Sequence, residues 1–151
     1  MDLNIAVLSG DGIGPEVTNE AVKVMDVISK KFDHKINISE GLTGAIAIDR
    51  KGNPYPDETH QICEKSDAVL FGAIGDPKYD NDPSAKVRPE QGLLEMRKKL
   101  GLYANLRPTI VFESLINNSP LKKDRIQNTD LIFVRELTGG IYFGERGRKD
   151  N

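Results

Sequence analysis

Apolar and polar residues alternate in blocks that read as strand, helix, strand. Leu3 to Leu8 is a short apolar run suited to a buried strand. A glycine turn follows, and Val17, Ala21, Val24, Met25, Ile28 and Phe32 then recur at helical spacing, predicting a helix that runs to about Phe32. Pro15 sits in its first turn with Glu16 beside it, and Lys30 and Lys31 sit in its last, as the helix dipole prefers. Lys35 to Glu40 alternates around Ile36 and Ile38 and predicts a second strand. Gly41 to Ala47 is apolar and small, ambiguous between helix and loop. Lys51 to Pro56 reads as a loop, followed by a short helix from Pro56-Asp57-Glu58 that carries Ile62 and Cys63.

Asp67 to Gly72 predicts a third strand. Gly75 to Pro89 is rich in Gly, Pro, Asp and Asn and predicts a long exposed loop. Glu90 to Leu100 predicts a helix stopped by Gly101. Leu102 to Phe112 reads as extended, with Pro108 at an edge or bend. Asn117 to Asn128 is polar and turn-rich. Asp130 to Val134 predicts a strong strand, and Leu137 to Phe143 is expected to continue it or return beside it. Strand–helix alternation in the first half implies an α/β fold with parallel pairing.

Composition narrows the function classes. Leu, Ile, Val and Phe make up about 27 % of the chain, above the roughly 20 % below which charged chains tend to stay disordered. Twenty-one basic against 23 acidic residues leave a net charge of -2, which argues against a nucleic-acid module. No segment approaches the ~20 apolar residues of a membrane span. No basic region precedes an apolar stretch at the N-terminus, so no secretory signal is expected. Cys63 is the one cysteine among 151 residues, which excludes an internal disulfide, and with two His it makes a His/Cys zinc site a poor fit. The expectation is a cytosolic α/β protein.

Four constellations carry possible chemistry. Gly10-Asp11-Gly12-Ile13-Gly14 suggests a nucleotide turn. The dinucleotide fingerprint needs a glycine where Pro15 stands, and no Gly-Lys-Ser/Thr follows, so the spacing itself reads as a tight turn. Glu90, Leu93, Leu94 and Arg97 form one helical stripe, an apolar patch with a carboxylate-sized fork at one end. By itself this also describes an ordinary amphipathic helix with a solvated arginine. Arg107 lies in Ala104-Asn105-Leu106-Arg107-Pro108, and Arg135 follows the apolar run Leu131 to Val134. With Arg97 these could hold a small di- or tricarboxylate, since the planar guanidinium grips both oxygens. Three separate surface ion pairs fit equally. Tyr142, after Gly139-Gly140-Ile141, is a proton donor if a cation tunes it, or simply a core or interface residue.

Taken as whole strings, the sequence resembles the decarboxylating β-hydroxyacid dehydrogenases, the family of isocitrate and isopropylmalate dehydrogenases. Ile5 to Val17, reading IAVLSGDGIGPEV, resembles the family's opening, and Ala68 to Gly75, AVLFGAIG, is a second matching string. PEQGLLEMR at Pro89 to Arg97 and LYANLRP at Leu102 to Pro108 resemble the isopropylmalate branch. So does RELTGGIYFG at Arg135 to Gly144. The resemblance runs from residue 5 to residue 148.

The resemblance implies an isocitrate/isopropylmalate dehydrogenase-like α/β fold: three layers, a mixed sheet, and a cofactor site that is not a Rossmann crevice. It implies that Arg97, Arg107 and Arg135 bind the malate carboxylates. Leu93 and Leu94 would contact the isopropyl group, with Glu90 beside it and near the nicotinamide. Isocitrate relatives carry a more polar stripe there, because a carboxylate buried against leucines would be badly desolvated. Tyr142 would protonate the enolate after carbon dioxide leaves. Ile13, Gly75, Asp76, Pro77, Lys78 and Glu90 would border NAD. The implied reaction is NAD-dependent oxidative decarboxylation of 3-isopropylmalate to 2-oxo-4-methylpentanoate, in leucine biosynthesis, with Mg²⁺ or Mn²⁺ stabilising the enolate. Homoisocitrate, isocitrate and tartrate remain alternative substrates.

Family chains run to more than twice this length. The base lysine, the metal-binding aspartates and the adenosine-binding segment are expected past residue 151, so no metal ligand is assigned here. The expected division is 1–100 as the N-terminal part of the cofactor-side domain and 101–151 as the first part of the dimerisation and substrate domain. A homodimer in the cytoplasm, with no nucleic acid and no membrane partner, completes the expectation. The chain alone is expected to be catalytically inert; a non-catalytic fragment is the alternative reading.

Overall fold

The computed structural model describes residues 1–81, 83–137, 139–144 and 147–148, leaving out the side chains of Ile141 and Tyr142. Two compact units divide the chain, Met1–Leu100 and Gly101–Asn151.

In the first unit, β1 (Asp2–Gly10) is the centre of a three-stranded parallel sheet in the order β2-β1-β3, with β2 at Lys35–Glu40 and β3 at Ala68–Ala73. The register sets Ile5 against Ile38 and Val7 against Leu70. The pleat then sends alternate residues to opposite faces. Ala6 and Leu8 point to a core shared with Tyr55, Cys63 and Met96, and Ile62, Val69, Phe71, Leu93 and Leu100 pack around it. Ile62 and Cys63 come from α3 (Asp57–Glu64), Leu93 and Met96 from α5 (Pro89–Lys99) with Leu100 at its C-terminal end, Tyr55 from the loop ahead of α3, and Val69 and Phe71 from β3. Helix α1 (Gly14–Phe32) covers the other face, where Thr18 Oγ1 donates to Ser9 Oγ at 2.9 Å. The unit is therefore three-layered. Helix α5 docks closely because Gly92 has no side chain: a Cβ there would lie 2.5 Å from the Pro54 carbonyl oxygen.

The second unit is an antiparallel ribbon of β4 (Ala104–Ile110) and β5 (Asp130–Glu136). A 3₁₀ turn (Glu113–Asn118) and α6 (Lys123–Ile126) link them. Parallel pairing thus belongs to the first unit and antiparallel pairing to the second. No helix among the described residues is long and apolar enough to cross a membrane.

Several expectations are revised. The described part of 137–143 neither continues the strand nor returns beside it. β5 ends at Glu136, Leu137 is buried, and Gly140–Phe143 form a helical turn, α7. Gly140 adopts φ 61°, which an extended chain cannot accommodate, and Leu137 N–H closes the ribbon on Tyr103 O at 2.8 Å. The ambiguous 41–47 stretch turns at Gly44 and enters α2 (Ala45–Lys51). The long loop holds a short helix, α4 (Pro77–Asp80), because Asp76 caps it by accepting from Lys78 N–H at 3.0 Å. Within 117–128, regular structure displaces part of the expected coil.

Candidate functional site

Parallel strands end on one edge, and open α/β sheets bind ligands in the crevice outside their carboxyl ends. Here that edge gathers the 10–14 turn after β1, the 41–45 turn after β2 and the 74–76 turn after β3. Asp11 ties the three together. Its carboxylate is buried, at 7 % exposure. Oδ2 accepts from Ala45 N–H at 2.8 Å and Gly75 N–H at 3.1 Å, and Oδ1 accepts from Ile46 N–H at 3.0 Å. Its own N–H donates to Ala73 O at 2.7 Å. One side chain thus caps α2 and fixes the turn after β3.

A cavity of about 260 Å³ opens beside this staple, lined by Gly10, Asp11, Gly12, Pro15, Ala45, Ile46, Asp49 and Asp76. A second, of about 370 Å³, shares Gly10, Pro15 and Ile46 and extends to Glu40 and Arg50. The far wall of the first is tied by Asp49. Its Oδ2 takes Lys78 Nζ at 2.5 Å and its Oδ1 takes the Tyr79 hydroxyl at 2.8 Å. The hydrogen bond from Lys78, helped by that from Tyr79, holds the Asp49 carboxyl below the ordinary aspartate range. The same contacts push the Lys78 ammonium and the Tyr79 phenol up. Arg88 Nη1 donates to Tyr79 O at 3.1 Å and anchors the loop's far side.

The expected cofactor residues fall on this edge. Ile13 stands exposed at the start of α1, and Gly75 sits above the Asp11 carboxylate. Asp76 lines the cavity and caps α4, Pro77 opens α4, and Lys78 is turned onto Asp49. Glu90 lies against Gly75: its Oε1 is 3.5 Å from where a Gly75 Cβ would be. Along α5 the stripe is graded. Glu90 is exposed, Leu93 joins the fringe of the core, and Leu94 and Arg97 are half-buried. In the second unit Asn105 pairs with Arg135 across the ribbon, and Arg107 stands two residues along from Asn105. Arg107 and Arg135 therefore share one face as diagonal neighbours, ~7–8 Å apart by ribbon geometry. Arg107 Nε donates to Asn105 Oδ1 at 2.8 Å. Tyr142 lies in α7; its side chain is outside the described residues.

Asp49 escapes the sequence reading, and Asp11, Tyr79 and Arg88, though inside the 10–14 turn and the 75–90 loop, carry no individual role in it. An acidic residue between two glycines after a strand is the one signal that could have flagged Asp11. Nothing in the sequence links Asp49 to Lys78.

The donor set does not fit a divalent metal. Among the described residues no group of three or more His, Cys, Asp or Glu could hold one. Asp11, Asp49 and Asp76 line one cavity, but every oxygen of Asp11 and Asp49 and Oδ1 of Asp76 already accepts from protein donors. Along the same edge the strand-end turns and the exposed Ile13 side chain leave backbone groups and an apolar surface open.

The profile of the isocitrate/isopropylmalate dehydrogenase family matches residues 4–151. A 3-isopropylmalate dehydrogenase from Bacteroides fragilis is 57 % identical over 146 residues, covering 97 % of this chain and 41 % of that protein. One from Bacillus subtilis is 52 % identical over 149 residues, covering 99 % and 40 %. Among solved structures, isocitrate dehydrogenase from Methylococcus capsulatus superposes with a TM-score of 0.73 at 27 % identity. That match covers 95 % of this chain and 37 % of that one. The chain thus spans about two-fifths of the length of the curated relatives it matches. With the glycine turn, the α5 stripe and the arginine ribbon all inside the matched residues, the chain belongs to the isocitrate/isopropylmalate dehydrogenase family.

Proposed function

We propose that this chain serves the NAD-dependent oxidative decarboxylation of 3-isopropylmalate to 2-oxo-4-methylpentanoate, as part of the complete family fold. The observation that carries the reading is the α5 stripe. Leu94 and Arg97 lie half-exposed on one helix face, so an apolar surface adjoins a guanidinium with no hydrogen-bond partner among the described residues. That pairing suits a substrate with a branched alkyl group beside carboxylates, and it disfavours a third carboxylate at the alkyl position. The relatives named above as 3-isopropylmalate dehydrogenases support the same choice.

In this reading Arg97, Arg107 and Arg135 hold the malate carboxylates as bidentate partners. Leu93 backs Leu94 against the isopropyl group, and water is excluded from the apolar end. Glu90, against Gly75, stands between the substrate and the nicotinamide, and Ile13, Asp76, Pro77 and Lys78 line the cofactor's course. When bound, NAD would supply the hydride acceptor for oxidation at C2, and the C2 hydroxyl proton would pass to a base contributed by the rest of the complete fold. Tyr142 delivers the proton to the enolate carbon once carbon dioxide has left. A divalent ion, Mg²⁺ or Mn²⁺, would stabilise the enolate in this reading; the described residues contain no group of three or more His, Cys, Asp or Glu to hold it, so its ligands would have to be supplied by other residues of the complete fold. A cytoplasmic homodimer is the assembly that this reading carries.

The test is a chimera in which residues 1–151 replace the matching segment of a complete 3-isopropylmalate dehydrogenase. Turnover of 3-isopropylmalate with NAD, little turnover of isocitrate, and loss of both substrate binding and rate in Arg107→Ala are expected. A folded chimera that prefers isocitrate would overturn the assignment. The 151-residue chain alone is expected to form no NADH.

A further inference from the structure

The turn between β3 and α5 is long, yet its start is held in place from a different helix. Asp49 lies on α2, 29 positions before Lys78, and uses both carboxylate oxygens on α4. Lys78 Nζ also stands 5.0 Å from the Tyr79 ring centroid, so the three groups form one cluster. Both partners of the ion pair are about half exposed, which makes the contact breakable in water. Asp11 cannot replace it, because its oxygens are spent on Ala45, Ile46 and Gly75. Among the described residues the Asp76 carboxylate acts within its own turn, on Lys78 N–H.

We propose that Asp49 is the positioning residue of the Asp76–Asp80 turn: it latches Lys78 and Tyr79 to α2 and so orders the cleft's wall before a ligand arrives. The functional weight of this latch rests on the reading of that turn as part of the cofactor cleft. The charged and titratable groups facing Asp49 are Lys78 and Tyr79 from α4, with Asp76 and Asp11 across the cavity and Arg50 beside it on α2. An anionic ligand drawn to Lys78 must compete with Asp49 for it.

The experiment compares the 151-residue chain with Asp49→Asn and Asp49→Glu without any cofactor, so it decides the latch whether or not the turn borders NAD. Trypsin cuts after Lys78 and, in the same loop, after Lys86. In Asp49→Asn the rate at the Lys78–Tyr79 bond should rise about three- to tenfold while the Lys86–Val87 rate holds. The Tyr79 phenol, identified by its loss in Tyr79→Phe, should titrate nearer the ordinary tyrosine value. Asp49→Glu should recover part of both effects. Equal acceleration at the two bonds would show general loosening and overturn the proposal, as would an unmoved phenol titration.

Discussion

Replacing Asp11 tests whether one buried carboxylate organises the candidate site. Asp11→Ala removes the acceptor from three backbone N–H groups at once, those of Ala45, Ile46 and Gly75. A hydrogen bond to a charged group contributes about 1.5–3 kcal/mol, and a donor left unsatisfied in the interior costs about 1–3 kcal/mol. Ala45 is buried, whereas Ile46 and Gly75 are half-buried and can recruit water. The three losses are therefore not equal, and a total of about 4 kcal/mol is expected for Asp11→Ala. Asp11→Asn is milder. Its amide oxygen can keep the Oδ2 position, which serves Ala45 and Gly75, while its NH₂ is turned against Ile46 N–H. One bond is lost and two donors face each other, which costs about 2 kcal/mol.

Against a typical stability of about 5–15 kcal/mol these are large fractions. Urea unfolding of the chain, followed by circular dichroism, reads them directly. With a slope of about 2 kcal/mol per molar urea, the midpoint should fall by about 1 M in Asp11→Asn and about 2 M in Asp11→Ala. The amide proton of Gly75 should move upfield in both variants as its charged acceptor is weakened. Midpoints unchanged from the parent, or an Asn variant less stable than the Ala variant, would refute the staple.

Other consequences are open to measurement. Gly92→Ala gains about 1 kcal/mol of helix propensity but drives a Cβ to 2.5 Å from Pro54 O and 2.8 Å from Pro54 C, so a lower Tm is expected, and a higher one would refute the close docking of α5. Cys63 is buried and its desolvation pushes the thiol up, so labelling by a thiol reagent at neutral pH should follow unfolding rather than pH; rapid labelling of the folded chain would contradict this. Because the Asp49 carboxyl is held low in the folded chain, the latch is intact above the ordinary aspartate range and is lost as pH falls through the depressed value. Carboxyl NMR should place the Asp49 midpoint below that range and return it upward in Lys78→Ala.

What was legible in the sequence had a period. The alternation around Ile36 and Ile38 marks the bounds of β2 as found, and the spacing of Glu90, Leu93, Leu94 and Arg97 marks α5. A four-residue helix such as α4 or α7 makes barely one turn, so no spacing repeats to show a period, and its presence depends on one cap or one glycine torsion. Helix α1 shows a subtler limit. Its spacing identifies a helix, but two adjoining faces are apolar, and periodicity alone cannot rank them. Thr18, Val22 and Met25 turn toward the sheet, while Val24 and Phe32 remain 58 % and 57 % exposed. The sheet chose the face that puts Thr18 on Ser9, a polar contact that a hydrophobic count ignores.

The candidate site divides along the same line. Residues proposed to touch ligands are recognisable as strings, because glycines, leucines and arginines keep their local spacing. Residues that place those strings are not, because Asp11 reaches 34 and 64 positions ahead and Asp49 reaches 29. A carboxylate on the edge of a parallel sheet acquires its partners only when three strand ends converge. Its role is therefore a property of the topology and cannot be assigned to any segment by itself. On this argument Asp11 and Asp49 must be perturbed with the strings intact. Changing either should loosen Gly75 or Lys78 while Leu94, Arg97 and the Arg107–Arg135 face keep their positions.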